Sequence, residues 1–378
     1  MSSLFDPLFG MTAVYAATDD RAWLAALCEV ETALARACSQ AELIDLPTAL
    51  EIAAAADKLK SLDPGELGRE AVNGGNPVIP LVQRLRSEVT ASGGEQAAAA
   101  VHLGATSQDI LDTAAMLVTA HALGVIYGDL RECADRTAAL AHTHRDTVMI
   151  SRTLLQQALP TTFGAVAAAW GIALDRGLRR VATMRDALPA QLGGPAGTLG
   201  GWYPHGFEVR AAFAAELELR DPHGVWHSDR GVIADIAATL GSTAATVGKI
   251  ATDVVLLAQS ELAEVGERRS GGSSSMPHKR NPVAAITARA AAAQAPGLVA
   301  TLLAATPELQ RGAGAWHTEW PALTALLRTA GGAASRLREC LTNLEVSAAA
   351  MRAHVDAAEP DVGHAADLVD RYLDGRRA

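Results

Sequence analysis

Apolar side chains recur at helical spacing along most of the chain. Leu117, Leu123, Ile126 and Leu130 mark one long stretch that runs to about His142, and Ile236, Leu240, Val247, Ile250, Val254, Leu257 and Leu262 mark another across residues 235–265. Residues three, four and seven apart share a helix face, so each stretch predicts a helix with an apolar stripe. A stripe sustained this long without a breaker predicts a bundle helix packed on several neighbours. Shorter patterns predict helices over 18–41, where Thr18-Asp19-Asp20 offers a cap before Trp23, Leu27, Val30 and Leu34, and over 48–62, 78–92, 165–188, 284–303 and 362–373. Asp63-Pro64-Gly65 and the run from Asn73 to Pro77 read as turns. Few segments look like strands. The expected fold class is all-α, with a small helical N-terminal domain over 1–103, a central long-helix bundle over 104–345 and a short C-terminal part over 346–378.

Three polar stretches interrupt this pattern: HLGATSQD at 102–109, SRTLLQQALPTT at 151–162 and GGSSSMPHKRNPV at 271–283. The last combines glycines that free the backbone with prolines that fix φ and remove a donor, so it reads as a loop between stiff helices. It gathers hydroxyls, an ammonium and a carboxamide where backbone N–H groups can also converge on an anion. The second stretch reads as a polar turn leading into a helix. Each stretch lies at the end of a long helix, and a bundle has no cleft unless helix ends meet, so the pattern suggests a composite site built across subunits. The run QLGGPAGTLGG at 191–201 lacks the lysine of a phosphate loop and follows no strand, so it reads as a tight turn. His142 and His144 point to different faces of a helix and have no acidic or cysteine cluster beside them, which argues against a metal.

Composition narrows the partners. Hydrophobic residues reach 49% with only 4% aromatics, because alanine supplies the apolar content; that suits close helix packing, not a β-sandwich. A net charge of −10 argues against a nucleic-acid groove or an anionic membrane, while leaving room for a small anionic substrate if basic groups gather locally. Cys28, Cys38, Cys133 and Cys340 show no pairing pattern, which fits reduced thiols in a cytoplasmic protein. The N-terminus MSSLFDPLFG lacks a basic region followed by an apolar core, and no run of 18 uncharged apolar residues follows, so neither export nor membrane insertion is expected.

The three polar stretches together resemble the three signature regions of the fumarase/aspartase superfamily: residues 102–109, the Arg-Thr-x-x-Gln-x-Ala-x-Pro-Thr-Thr pattern of 152–162, and the Gly-Ser-Ser-Ser-Met-Pro-His-Lys-Arg-Asn-Pro run of 272–282. Within it, residues 271–283, QRGAGAWHTEW at 310–320, QLGGPAG at 191–197 and WHSDR at 226–230 are most similar to the bacterial 3-carboxy-cis,cis-muconate cycloisomerases. The resemblance implies a homotetramer with a core of long helices, active sites shared between subunits, a small tricarboxylate substrate, no cofactor, and a place in protocatechuate breakdown. It implies Ser273 as catalytic base, with Lys279 and Asn281 stabilising an aci-carboxylate intermediate, and a substrate-binding set of Thr106, Ser107 and Gln156, with His102, Arg152, Arg311 and His317 as additions. Those residue types suit the chemistry, because removing a proton next to a carboxylate builds a second negative charge that needs cationic and hydrogen-bond donors.

Two departures sharpen the reading. Fumarases, argininosuccinate lyases and adenylosuccinate lyases read Thr-His in the second region and carry a glutamate five residues after the asparagine of the third; this chain has Thr153-Leu154 and Ile286. Amine and hydroxide leaving groups benefit from a general acid, whereas a lactone opened by β-elimination expels a carboxylate with a pKa of roughly 4, which leaves unprotonated. The aliphatic pair therefore points to a cycloisomerase and away from the adenylosuccinate lyase alternative. A non-catalytic helical scaffold does not explain Ser273, Lys279 and Asn281 together. The superfamily also carries a longer third domain than the stretch after Val346.

Overall fold

A computed structural model describes residues 4–10, 12–269, 271–276, 278–356, 358 and 360–377. In chain order the helices are α1 (Thr12–Ala16), α2 (Asp20–Gln40), α3 (Leu46–Leu59), α4 (Pro64–Ala71), α5 (Val78–Ala99), α6 (Ser107–Thr143), α7 (Phe163–Asp186), α8 (Gly206–Glu216), α9 (Gly231–Leu257), α10 (Val283–Ala292), α11 (Ala295–Ala304), α12 (Ala315–Thr342), α13 (Ala348–Ala353) and α14 (Ala365–Arg377). Two small antiparallel pairs interrupt them, β1 (Val148–Thr153) with β2 (Gln156–Thr162) and β3 (Val265–Glu267) with β4 (Leu344–Val346).

The core is the bundle of α6, α7, α9, α10 and α12. At 37 residues, α6 runs about 55 Å and buries Ile110, Met116, Leu123, Ile126 and Leu130. Its N-terminus opens on Thr106, whose main-chain N–H donates to Asp109 Oδ2 at 3.0 Å, the returning half of a capping box. Asp19 and Asp45 are themselves the N-cap residues of α2 and α3, their side chains accepting from Ala22 N and Thr48 N at 2.8 Å each. The elements ahead of α6 pack on it chiefly through α2.

Several helix limits differ from the sequence pattern. The stretch at 151–162 is not a turn but most of a β-hairpin, with Leu154 and Leu155 at its tip. The helix expected over 235–265 ends at Leu257, after which Ala263 takes a left-handed φ of 47° and β3 begins. The helix expected over 284–303 is two, because Pro296 opens a new first turn in α11. α5 continues past Ser92 to Ala99 across a kink at Gly94. Three helical segments, Ser107–Thr143, Gly231–Leu257 and Val283–Ala304, are long and apolar enough to cross a membrane by length and composition, which a search for an uncharged run does not reveal. Most of the first is buried inside the protomer, while most of the other two lies outside its interior.

Candidate active site

Around the N-terminus of α6, buried charges fix the chain so that a few polar side chains face outward. Asp109 is fully buried, and its Oδ1 accepts from Gly193 N at 2.9 Å and pairs with His227 Nε2 at 2.7 Å, while its Oδ2 accepts from Gly194 N at 2.9 Å as well as from Thr106 N. The 193–194 turn is thereby tied to the start of α6, and Gly194 holds the φ of 75° that this approach demands. Thr106 Oγ1 accepts from Arg311 Nη1 at 2.9 Å, and Arg311 Nη2 donates to Pro195 O at 3.2 Å. Two of the expected substrate-binding residues therefore meet here, with Ser107 beside them at the helix start. His102 sits just upstream at a left-handed φ of 60°, with Nδ1 2.7 Å from Glu31 Oε1. Burial opposes its charge, but the Glu31 carboxylate, by charge and hydrogen bond, holds the imidazole above its ordinary 6.5. His317 lies near Gly75, its ring 4.8 Å from that of Trp320.

One turn deeper, Asp112 accepts from Arg230 at 2.8 and 3.0 Å and from Trp316 Nε1 at 2.9 Å. Arg230 also donates to both oxygens of Glu319, at 2.9 and 2.6 Å, and its guanidinium lies 4.8 Å over Trp226. Burial raises the Glu319 pKa, with Arg230 opposing. This web locks the WHSDR segment and the start of α12 against α6. The sequence motifs contain Asp109, His227, Arg230 and Glu319 without assigning them a role, and Asp112 lies outside them altogether. The available signal was charged residues at helix positions whose neighbours read as core.

The β1–β2 hairpin carries a second group. Arg152 forms two bonds of 2.8 Å to Glu264, which is fully buried and whose Oε1 lies 2.8 Å from His354 Nδ1. In the protomer the Arg152 guanidinium thus holds the hairpin to the end of α9 and to α13. Gln156 is exposed beside the tip. Leu154 and Leu155 take φ of 52° and 63°, and Leu154 is 97% exposed. Ile286, on the exposed side of α10, is 42% exposed, so the aliphatic pair expected from the sequence is not buried within one chain.

The third group lies on the loop between β3 and α10. Its neck is closed by Gly271 N to Asn281 O at 2.9 Å and Asn281 N to Gly271 O at 3.0 Å. Ser273 Oγ accepts from Met276 N at 3.2 Å, and Lys279 is exposed. Among the described residues, no hydrogen bond or ion pair links one of the three groups to another. A cavity of about 580 Å³ between α2, α4 and α12, lined by Trp23, Leu67, Trp320 and Arg328, contains none of the ten candidate residues. The pocket is therefore not the candidate site.

A family model described as "Lyase" matches residues 3–297. The chain belongs to this lyase family. Among the relatives of this lyase, a 3-carboxy-cis,cis-muconate cycloisomerase of Bradyrhizobium diazoefficiens is 42% identical over 365 residues, covering 94% of this chain and 80% of the relative. A nitrosuccinate lyase of Streptomyces davaonensis is 45% identical over 369 residues, covering 94% and 77%. Among solved structures, the 3-carboxy-cis,cis-muconate lactonizing enzyme of Pseudomonas putida superposes with a TM-score of 0.89 at 35% identity, covering 99% of this lyase and 88% of that chain. The fold is fumarase/aspartase-like, as the three sequence regions imply, and the lyase is an enzyme.

Proposed function

We propose that this lyase interconverts 3-carboxy-cis,cis-muconate and its γ-carboxymuconolactone. The observation that carries the reading is the 42% identity to a cycloisomerase across 94% of the chain. In the elimination direction the C–H bond next to a carboxylate breaks, its proton passes to the alkoxide form of Ser273, giving back the hydroxyl, and the electron pair enters the carboxylate as an aci-anion. Collapse of that anion forms the C=C bond and breaks the ring C–O bond, releasing a carboxylate. Lys279 and Asn281 are the donors for the aci-anion, and the Arg311–Thr106 pair supplies cationic and hydroxyl donors for a resting carboxylate. Leu154 and Ile286 offer no proton to the departing group, which a carboxylate does not require.

The 45% identity to a nitrosuccinate lyase favours a second reading with the same first step. There the leaving group is nitrite, another weakly basic anion, so the absence of a general acid suits both. Parallel assays separate them: loss of the conjugated-diene absorbance of 3-carboxy-cis,cis-muconate, and nitrite release from nitrosuccinate. Wild type is expected to act on the first, and Ser273→Ala to lower kcat by about a thousandfold or more. No turnover of the muconate by wild type sinks the assignment.

Assembly follows from the same reading. The three residue groups complete one site only if several chains contribute, and the apolar outer faces of α9, α10 and α11 supply surface for a homotetramer. Four buried free cysteines support a cytoplasmic, reducing setting, and the likeness to the cycloisomerases supports a place in protocatechuate breakdown.

A further inference from the structure

α10 starts without a cap of its own. Its N-cap residue is Pro282, which offers no side-chain acceptor, yet the first-turn N–H groups of Ala284 and Ala285 are buried and must be satisfied. They are satisfied from across the loop. Glu267, only 6% exposed at the end of β3, accepts from Ala284 N at 3.0 Å with Oε2 and from Ala285 N at 2.8 Å with Oε1. A local Ser or Asp at the N-cap would satisfy the same helix. A carboxylate seventeen residues away does something more, because it also fixes the distance between the two ends of the loop that carries Ser273, Lys279 and Asn281.

The neighbouring contacts keep that fixed distance from being lost before it reaches the loop. Glu267 is itself held in register opposite Leu344, and Arg268 N donates to Asn343 O at 2.9 Å. Above the carboxylate, the two-way Gly271–Asn281 bridge closes the neck, and a Cβ on Gly271 would lie 2.1 Å from Val283 Cγ2, so the two strands of the neck touch where only glycine fits. The two ends of the loop are therefore tied to β3 and to α10. We propose that Glu267 is a positioning residue for the reaction: acting through the α10 N-terminus and the 271/281 neck, it sets where Ser273 and Lys279 stand relative to substrate held by other residues. This rests on the reading of that loop as catalytic.

Because Thr106 and Arg311 bind from outside the loop, displacement of the loop should lower kcat and leave KM nearly alone. Glu267→Gln presents an amide donor to one of the two N–H groups, and is expected to lower kcat on 3-carboxy-cis,cis-muconate about a hundredfold with KM changed less than about threefold. Glu267→Asp, which keeps the charge, should recover part of the loss. Hydrogen exchange should quicken in peptides covering 271–283 and stay as in wild type in α6 and α9. An active wild type with Glu267→Gln within about twofold in kcat overturns this proposal alone, as does a loss of activity matched by faster exchange throughout the bundle. A wild type inactive on both the muconate and nitrosuccinate overturns the catalytic reading and this proposal with it. If the Glu267 variants fail to fold, Gly271→Ala and the double variant Gly271→Ala/Val283→Ala decide: the first should lose kcat, and the second, with the clashing methyls gone, should regain about tenfold. An unimpaired Gly271→Ala, or no recovery in the double variant, overturns the proposal.

Discussion

His102 shows how a single buried charge sets both local shape and pH behaviour. Its backbone is left-handed, its partly buried ring lies against the buried Glu31, and the carboxylate holds its pKa above 6.5 despite the cost of burial. A group that titrates higher folded than unfolded stabilises the native state fully below the unfolded pKa, and that contribution fades as pH rises through the folded value. Urea unfolding of wild type and Glu31→Gln should therefore differ by about 1.5–3 kcal/mol near pH 6, with the gap shrinking at higher pH. A gap that widens with rising pH would show that the imidazole is not the titrating group. The three polar stretches stood out because they interrupt an apolar pattern, and the resemblance picked out the candidate residues within and beyond them. Their supports were not legible: Asp109 and His227 are 118 positions apart, as are Asp112 and Arg230, and nothing in the sequence pairs one buried charge with another.

At the level of elements, the long helices could be read from periodicity, and the missed features have specific causes. The β1–β2 hairpin went unseen because its two-residue turn is Leu154-Leu155, although left-handed φ at both positions is where Asn-Gly is preferred. The end of α9 went unseen because residues 258–264 still look helical; the chain leaves the helix to bring Glu264 under Arg152, a tertiary demand. α14 docks by shape. Tyr372 occupies the slot left by Gly171 on α7, where a Cβ would stand 1.9 Å from its hydroxyl, and Arg145 pairs with Asp370 at 2.6 Å. Gly171→Ala should therefore expel Tyr372 and destabilise the protein by about 1–3 kcal/mol, with hydrogen exchange accelerated in α14 ahead of the bundle. Unchanged exchange in α14 would show that its ion pairs suffice.

Over the whole molecule, the sequence disclosed the bundle but not how its outer faces are used. Sedimentation at micromolar concentration should give a species of four 39.2 kDa chains, and an active monomer would remove the need for shared sites. The hairpin tip then has a practical meaning. A protomer parted from its neighbours presents Leu154, Leu155 and Leu159 on a two-stranded ribbon, more than two-thirds exposed in each case. An open ribbon edge with an apolar tip is a template for stray strands, so a chain caught alone is also one poised to clump. If the chains assemble as proposed, dilution is a hazard and not a remedy for anyone purifying this lyase, because concentration then favours the assembly that covers the leucines.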